Sequence, residues 1–156
     1  MNLRKMFRRK PKRLTKGDAA RNLLRWNLKG QATGAIARRG NYIRQRDEDS
    51  NCYACKIGLV MLGRWGEAAS VLNSSGGYRG YSEDGSKVRE IKQYGPMVVC
   101  PAFEWGCLGS GTKMRLGALI EHLFEYHRWS VMRIDKWLAE LAETDLERER
   151  KGAGLT

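Results

Sequence analysis

From residue 116 onward the apolar positions fall three and four apart. Leu116, Leu119, Ile120, Leu123 and Phe124 make one stripe, and Val131, Ile134, Leu138 and Leu141 make a second. That period is the signature of amphipathic helices, and Thr112 and Ser130 stand where N-caps belong. The pattern predicts a C-terminal antiparallel helical pair that turns at residues 126–130. Trp129 and Trp137 would close it, with Trp137 buried against a helix formed by residues 52–62.

Upstream the pattern is less regular. Residues 18–29 read as a helix capped by Asp18 and closed by Gly30, with Ala20, Leu24 and Leu28 on one face and Arg21, Arg25 and Lys29 on another. The compact apolar run CYACKIGLVML, residues 52–62, reads as a buried helix between an Asn51 cap and a Gly63 stop, although a strand also fits so short a run. Residues 65–72 extend it by a turn or two. GNYIRQ reads as a short strand, and QATGAIARRG before it fits neither period. Residues 73–86 have no hydrophobic period and read as a mobile loop in which Tyr78, Arg79 and Tyr81 are candidate contacts to partner proteins. KVREIKQYGPMVV alternates around Val88, Ile91, Met97 and Val99, which suggests a hairpin leading into Cys100. Residues 144–156 lose the apolar face and should fray.

A chain of 156 residues with 42% apolar content supports one core. The expected fold is a small, mostly helical α+β domain over residues 18–143 with a C-terminal helical pair and a short hairpin. A disordered basic arm, residues 1–17, precedes it, and a frayed charged tail follows.

Charge changes the picture once it is located. Residues 1–46 hold 15 basic residues against Asp18, whereas residues 47–156 hold 14 basic and 16 acidic residues, so the whole excess of the +12 net charge is N-terminal. Arg4, Lys5, Arg8, Arg9, Lys10, Lys12, Arg13 and Lys16 crowd the arm. Arg21, Arg25 and Lys29 continue it along a helix face, and Arg38 and Arg39 follow. Such a cluster is drawn to phosphate arrays through counterion release, which makes nucleic acid or an acidic protein surface the expected partner. Leu3, Met6 and Phe7 are too few apolar anchors for a membrane surface. No apolar run approaches the roughly 20 residues of a spanning helix, and no secretory leader pattern opens the chain. The expected setting is a reducing one, inside a cell or in an assembly built from an intracellular pool.

Cys52, Cys55, Cys100 and Cys107 form two close pairs, which suits reduced thiols or metal better than disulfide staples. Cys100, Cys107, His122 and His127 are spaced C-x6-C-x14-H-x4-H, and two thiolates with two imidazoles are a tetrahedral zinc set. The cysteine gap exceeds the usual two to four residues. Histidines five apart also diverge on a regular helix, so His127 would have to lie where the helix is already ending. That departure favours the plainer alternative, small buried cysteines and helix-end histidines without metal. One structural zinc is the competing reading, and a site of all four cysteines is a third.

Three catalytic readings weaken on inspection. Gly106 to Lys113 spaces its glycines as a phosphate loop does, but the order Thr112-Lys113 reverses the amine and hydroxyl that such loops need. CYAC as a redox motif is followed by apolar residues that argue for burial. A cysteine–histidine pair for acyl transfer has no evident third member. A small hydrolase or redox enzyme is therefore a distant third possibility.

Cys55, Gly58, His122, Leu123, His127, Trp129, Ser130, Ile134, Trp137 and Leu138 occupy places in a pattern that resembles small uncharacterised proteins of tailed bacteriophages and bacterial genomes. Those proteins carry an Asn-Asp pair where Phe124 and Glu125 stand here. The resemblance implies a non-enzymatic phage accessory or virion-associated structural protein, with other virion proteins as partners. The rival expectation is a free zinc-finger-like regulator that binds nucleic acid.

Overall fold

The computed structural model describes residues 13–40, 43–45, 52–66, 86–102, 107 and 113–154. Arg4, Lys5, Arg8, Arg9, Lys10 and Lys12 of the arm and Tyr78, Arg79 and Tyr81 of the loop lie outside the described residues, as do most of Gly106 to Thr112 and residues 67–72.

Helix α1 (Lys16–Ala32) is capped by Thr15 rather than Asp18. The Thr15 hydroxyl accepts the Asp18 N–H at 3.1 Å, and Asp18 stands in the first turn, where a carboxylate favours the helix dipole. Lys16 and Gly17 therefore belong to the helix, not to the arm. Gly17 is buried and donates its N–H to Asp145 Oδ2.

The run CYACKIGLVML divides. Cys52–Ala54 is a strand, β3, and Lys56–Trp65 is helix α2. β1 (Ile36–Ala37) pairs parallel with β3, and β2 (Ile43–Gln45) pairs antiparallel on its other side, giving the order β1-β3-β2. Gly63 does not stop α2, and Gly30 does not stop α1. A Cβ on Gly30 would lie 1.9 Å from the Leu59 carbonyl oxygen, and one on Gly63 would lie 1.6 Å from that of Trp26. Both glycines mark the place where the two helix backbones touch, which no larger residue permits.

Val88 and Ile91 are buried on a short helix, α3 (Ser86–Lys92), rather than alternating in a strand. A hairpin does form nearby, but it lies around Cys100 instead of leading into it. β4 (Met97–Val99) pairs antiparallel with β5 (Lys113–Arg115), in the register Met97↔Arg115, Val98↔Met114 and Val99↔Lys113.

The two C-terminal helices form as their spacing predicts. α4 (Leu116–Glu125) buries Leu116, Leu119, Ile120, Leu123 and Phe124. α5 (Val131–Gly152) is capped by Ser130, whose hydroxyl accepts the Arg133 N–H, and it buries Ile134, Leu138 and Ala142. Its course to Gly152 carries it through the stretch expected to fray. α5 lies chiefly along α1 rather than α4. Asn27 bonds to Asp135 and Gly17 to Asp145, so the two helices run antiparallel. Trp129 is buried, whereas Trp137 is only half-buried at the margin of the core. The core of this small, mostly helical domain lies between α1, α2, α4 and α5, with Leu23, Ile57, Leu59, Met61 and Ile91 fully enclosed.

Candidate metal centre

Chain order puts four ligands at one corner of the domain. Cys100 directly follows β4, and Cys107 lies in the connection to β5. β5 then runs without a break into α4, which carries His122 in its last turn. His127 lies two residues past the end of α4. The chain reverses there through Arg128, whose φ of 56° is left-handed and uncommon for a residue with a side chain. This early exit answers the spacing problem: histidines five apart meet because the second is no longer on the helix.

His127 Nε2 lies 3.0 Å from His122 Nε2, Cys100 Sγ lies 3.5 Å from His127 Nε2, and Cys107 Sγ lies 3.3 Å from His122 Nε2. All four atoms fall within 4.8 Å of one another. A tetrahedral zinc about 2.0–2.1 Å from nitrogen and about 2.3 Å from sulfur sets its ligands roughly 3.3–3.8 Å apart. The cluster thus has the donor types, the number and nearly the spacing of a structural zinc site, and it could hold one such ion. Cys100 and His127 are buried, while Cys107 and His122 are half-buried. The His122 ring stacks on Tyr126 with centroids 5.2 Å apart, which fixes its plane. Burial, and after it the neighbouring His127, push the His122 pKa below its ordinary value. Both causes favour the neutral ring over the cation, and a neutral imidazole is the form that binds metal.

Cys55 takes no part in this cluster. It sits at the N-cap of α2, and burial pushes its thiol up to about 12, so it is a small apolar core residue. A four-thiolate site through Cys55 is accordingly not what the fold assembles.

Most of the described basic candidates lie along α1. Arg13, Arg25 and Lys29 are exposed, Lys16 and Arg21 half-exposed. Arg21 pairs with Asp18 at 2.6 Å, and Arg25 bonds to Asn22 at 2.7 Å; these four residues and Leu14 line a shallow groove of about 480 Å³. Arg38 is exposed, with its guanidinium 5.4 Å from the Tyr53 ring centroid. Arg39 departs from the other basic candidates. Its guanidinium is turned into the fold, against Phe124 and the backbone beyond α4.

A second buried polar group gave little sign of itself in the sequence. Lys56 is fully buried and pairs with Asp135, whose carboxylate also accepts from Asn27 at 2.9 Å and 3.0 Å and from Gln31 at 3.0 Å. The available signal was a lysine within an otherwise apolar run, since a buried cation needs a partner.

No described helix is long and apolar enough to cross a membrane. No protein-family model, curated protein or solved structure matches the chain. The likeness to phage proteins therefore remains an expectation from short motifs.

Proposed function

We propose that this chain is a zinc-stabilised nucleic-acid-binding regulator, in which Cys100, Cys107, His122 and His127 hold one structural zinc and the basic N-terminal third grips the phosphate backbone. The convergence of two thiols and two imidazoles, whose ligand atoms all lie within 4.8 Å of one another, carries the reading. Two cysteines from a hairpin followed by two histidines from a helix end is also the ββα order of zinc fingers.

The metal's part is structural. A finger that reads DNA lays its helix in the major groove, but α4 buries Leu116, Gly117, Leu119 and Ile120 in the domain core. Nucleic-acid binding falls instead to the face of α1 carrying Arg21, Arg25 and Lys29, together with the arm that precedes it. Such residues neutralise phosphate and give affinity without base readout.

Fluorescence anisotropy on a duplex across a salt series tests this. The triple variant Arg21→Gln, Arg25→Gln, Lys29→Gln should bind more weakly, with a log K against log salt slope reduced by about 0.9 for each phosphate no longer neutralised. Deleting residues 1–12 should act in the same direction. Wild-type affinity and slope in both variants would contradict the proposal.

A further inference from the structure

The half-buried Arg39 is the strongest residue outside the four ligands that bears on the corner they form. Its Nε donates to the Phe124 carbonyl at 2.8 Å, and Nη2 donates to the Arg128 carbonyl at 2.9 Å and to that of Trp129 at 3.3 Å. The guanidinium thus spans residues 125–127, the segment that ends in His127. It also lies 4.7 Å from the Phe124 ring centroid. The adjoining Gly40 N–H donates to both carboxylate oxygens of Glu125, at 3.0 Å and 3.1 Å.

Arg39 is itself held firmly. Ile36 and Ala37 pair with Tyr53 and Ala54 across β1 and β3, and the Arg38 N–H donates to the Ala54 carbonyl at 2.8 Å. The last carbonyls of a helix have no intrahelical donor, and a cation there suits the helix dipole. The Arg128 backbone at φ 56° needs something to hold it. One planar fork satisfies the helix end, the reversal and the residue beyond it.

We infer that Arg39 is a positioning residue for the metal centre: it clamps the chain on both sides of His127 so that the imidazole Nε2 meets Cys100, Cys107 and His122. The inference rests on the zinc reading above. It takes Arg39 out of the nucleic-acid-binding set and ties the segment after α1 to the metal corner.

Zinc affinity of the full chain, from competition with a chromophoric chelator, and the cobalt(II) absorption spectrum test it together. Arg39→Gln should lower zinc affinity about 10- to 100-fold, the usual effect of losing an outer-shell partner. It should also weaken the tetrahedral cobalt d–d bands while the thiolate-to-cobalt charge-transfer band from Cys100 and Cys107 persists. A purely structural loss would diminish both bands together. Arg39→Lys should fall between, because an ammonium is a point charge and cannot reproduce the fork. Arg38→Gln, one residue away, should match wild type. A wild-type chain that loads metal and an Arg39→Gln chain that loads it with the same affinity and spectrum would overturn the inference alone. A wild-type chain that takes up neither metal would overturn the zinc reading as well. Should Arg39→Gln not fold, Arg39→Lys decides: weakened d–d bands and affinity support the clamp, and wild-type values overturn it.

Discussion

Among the described residues two polar clusters are sunk into this domain, and they are built on opposite plans. The cluster around Asp135 balances its charge within the chain: Lys56 supplies the positive charge, and Asn27 and Gln31 supply further donors to the same carboxylate. The corner around His127 gathers two thiols and two imidazole nitrogens, with no lysine or arginine among the four groups. Two thiols and two imidazoles 3.0–3.5 Å apart are a donor set that one shared cation can bind. The first cluster fastens α1, α2 and α5 to one another through side chains alone. The second brings the β4–β5 hairpin to the end of α4, where a zinc held by the four groups would add a cross-link to the backbone contacts already there.

The largest expected effect comes from breaking the self-contained cluster. Asp135→Ala leaves the Lys56 ammonium buried without its counter-charge and should cost about 3–5 kcal/mol in denaturant unfolding. Lys56→Met combined with Asp135→Leu should recover part of that loss, since no charge is then stranded, although Asn27 and Gln31 lose their acceptor. A fully stable Asp135→Ala would show that the pair contributes nothing to the fold.

Removing metal should have the next largest effect. Chelation, or His127→Ala, should lower stability by about 2.7 kcal/mol when zinc stands at roughly a hundred times its dissociation constant. Because the hairpin and the end of α4 meet at this corner while α1, α2 and α5 are joined at Asp135, the metal-free chain should melt earlier, with the loss beginning at the hairpin and the end of α4. Hydrogen exchange resolves this: protection should fall across residues 97–127 before it falls in α1. Uniform loss would mean that the two clusters form one cooperative unit.

The smallest effect is on pH. Burial, against the opposing pull of Asp135, pushes Lys56 down to about 8 from the ordinary 10.5. Between those values the unfolded chain binds more protons than the folded one, so this group makes stability rise with pH. Cys55 works the other way: its thiol is raised from 9.0 to about 12, so its contribution is lost as pH climbs above 9. The window from pH 8 to 9 therefore belongs to Lys56. Wild type should gain stability there relative to Lys56→Met, and equal slopes would contradict the assignment.

Local signals made part of this molecule legible in advance. The stripes of α4 and α5 and the Ser130 cap follow from spacing alone, because period and cap chemistry are properties of neighbouring residues. The metal corner was half-legible. Its residue types and the need for an early end to α4 could be read, but the reversal at Arg128 that makes the spacing work lies in tertiary contacts with Arg39. Gly30 and Gly63 misled because a glycine that ends a helix and one that lets two helices touch look alike in sequence. Lys56 and Asp135 stand 79 residues apart, and each taken alone resembles a surface charge. Val88 and Ile91 are three apart, a spacing that one turn of helix satisfies as well as a loose alternation does.

The most direct test of the central claim is the zinc content of the full chain, purified without chelator and measured by elemental analysis beside native mass spectrometry. One zinc per chain is predicted, released together with a fall in melting temperature when His122 is replaced by Ala, and retained when the nearby Glu121 is replaced. Metal-free protein that melts cooperatively, at a temperature unchanged by added zinc or by His122→Ala, would contradict the account.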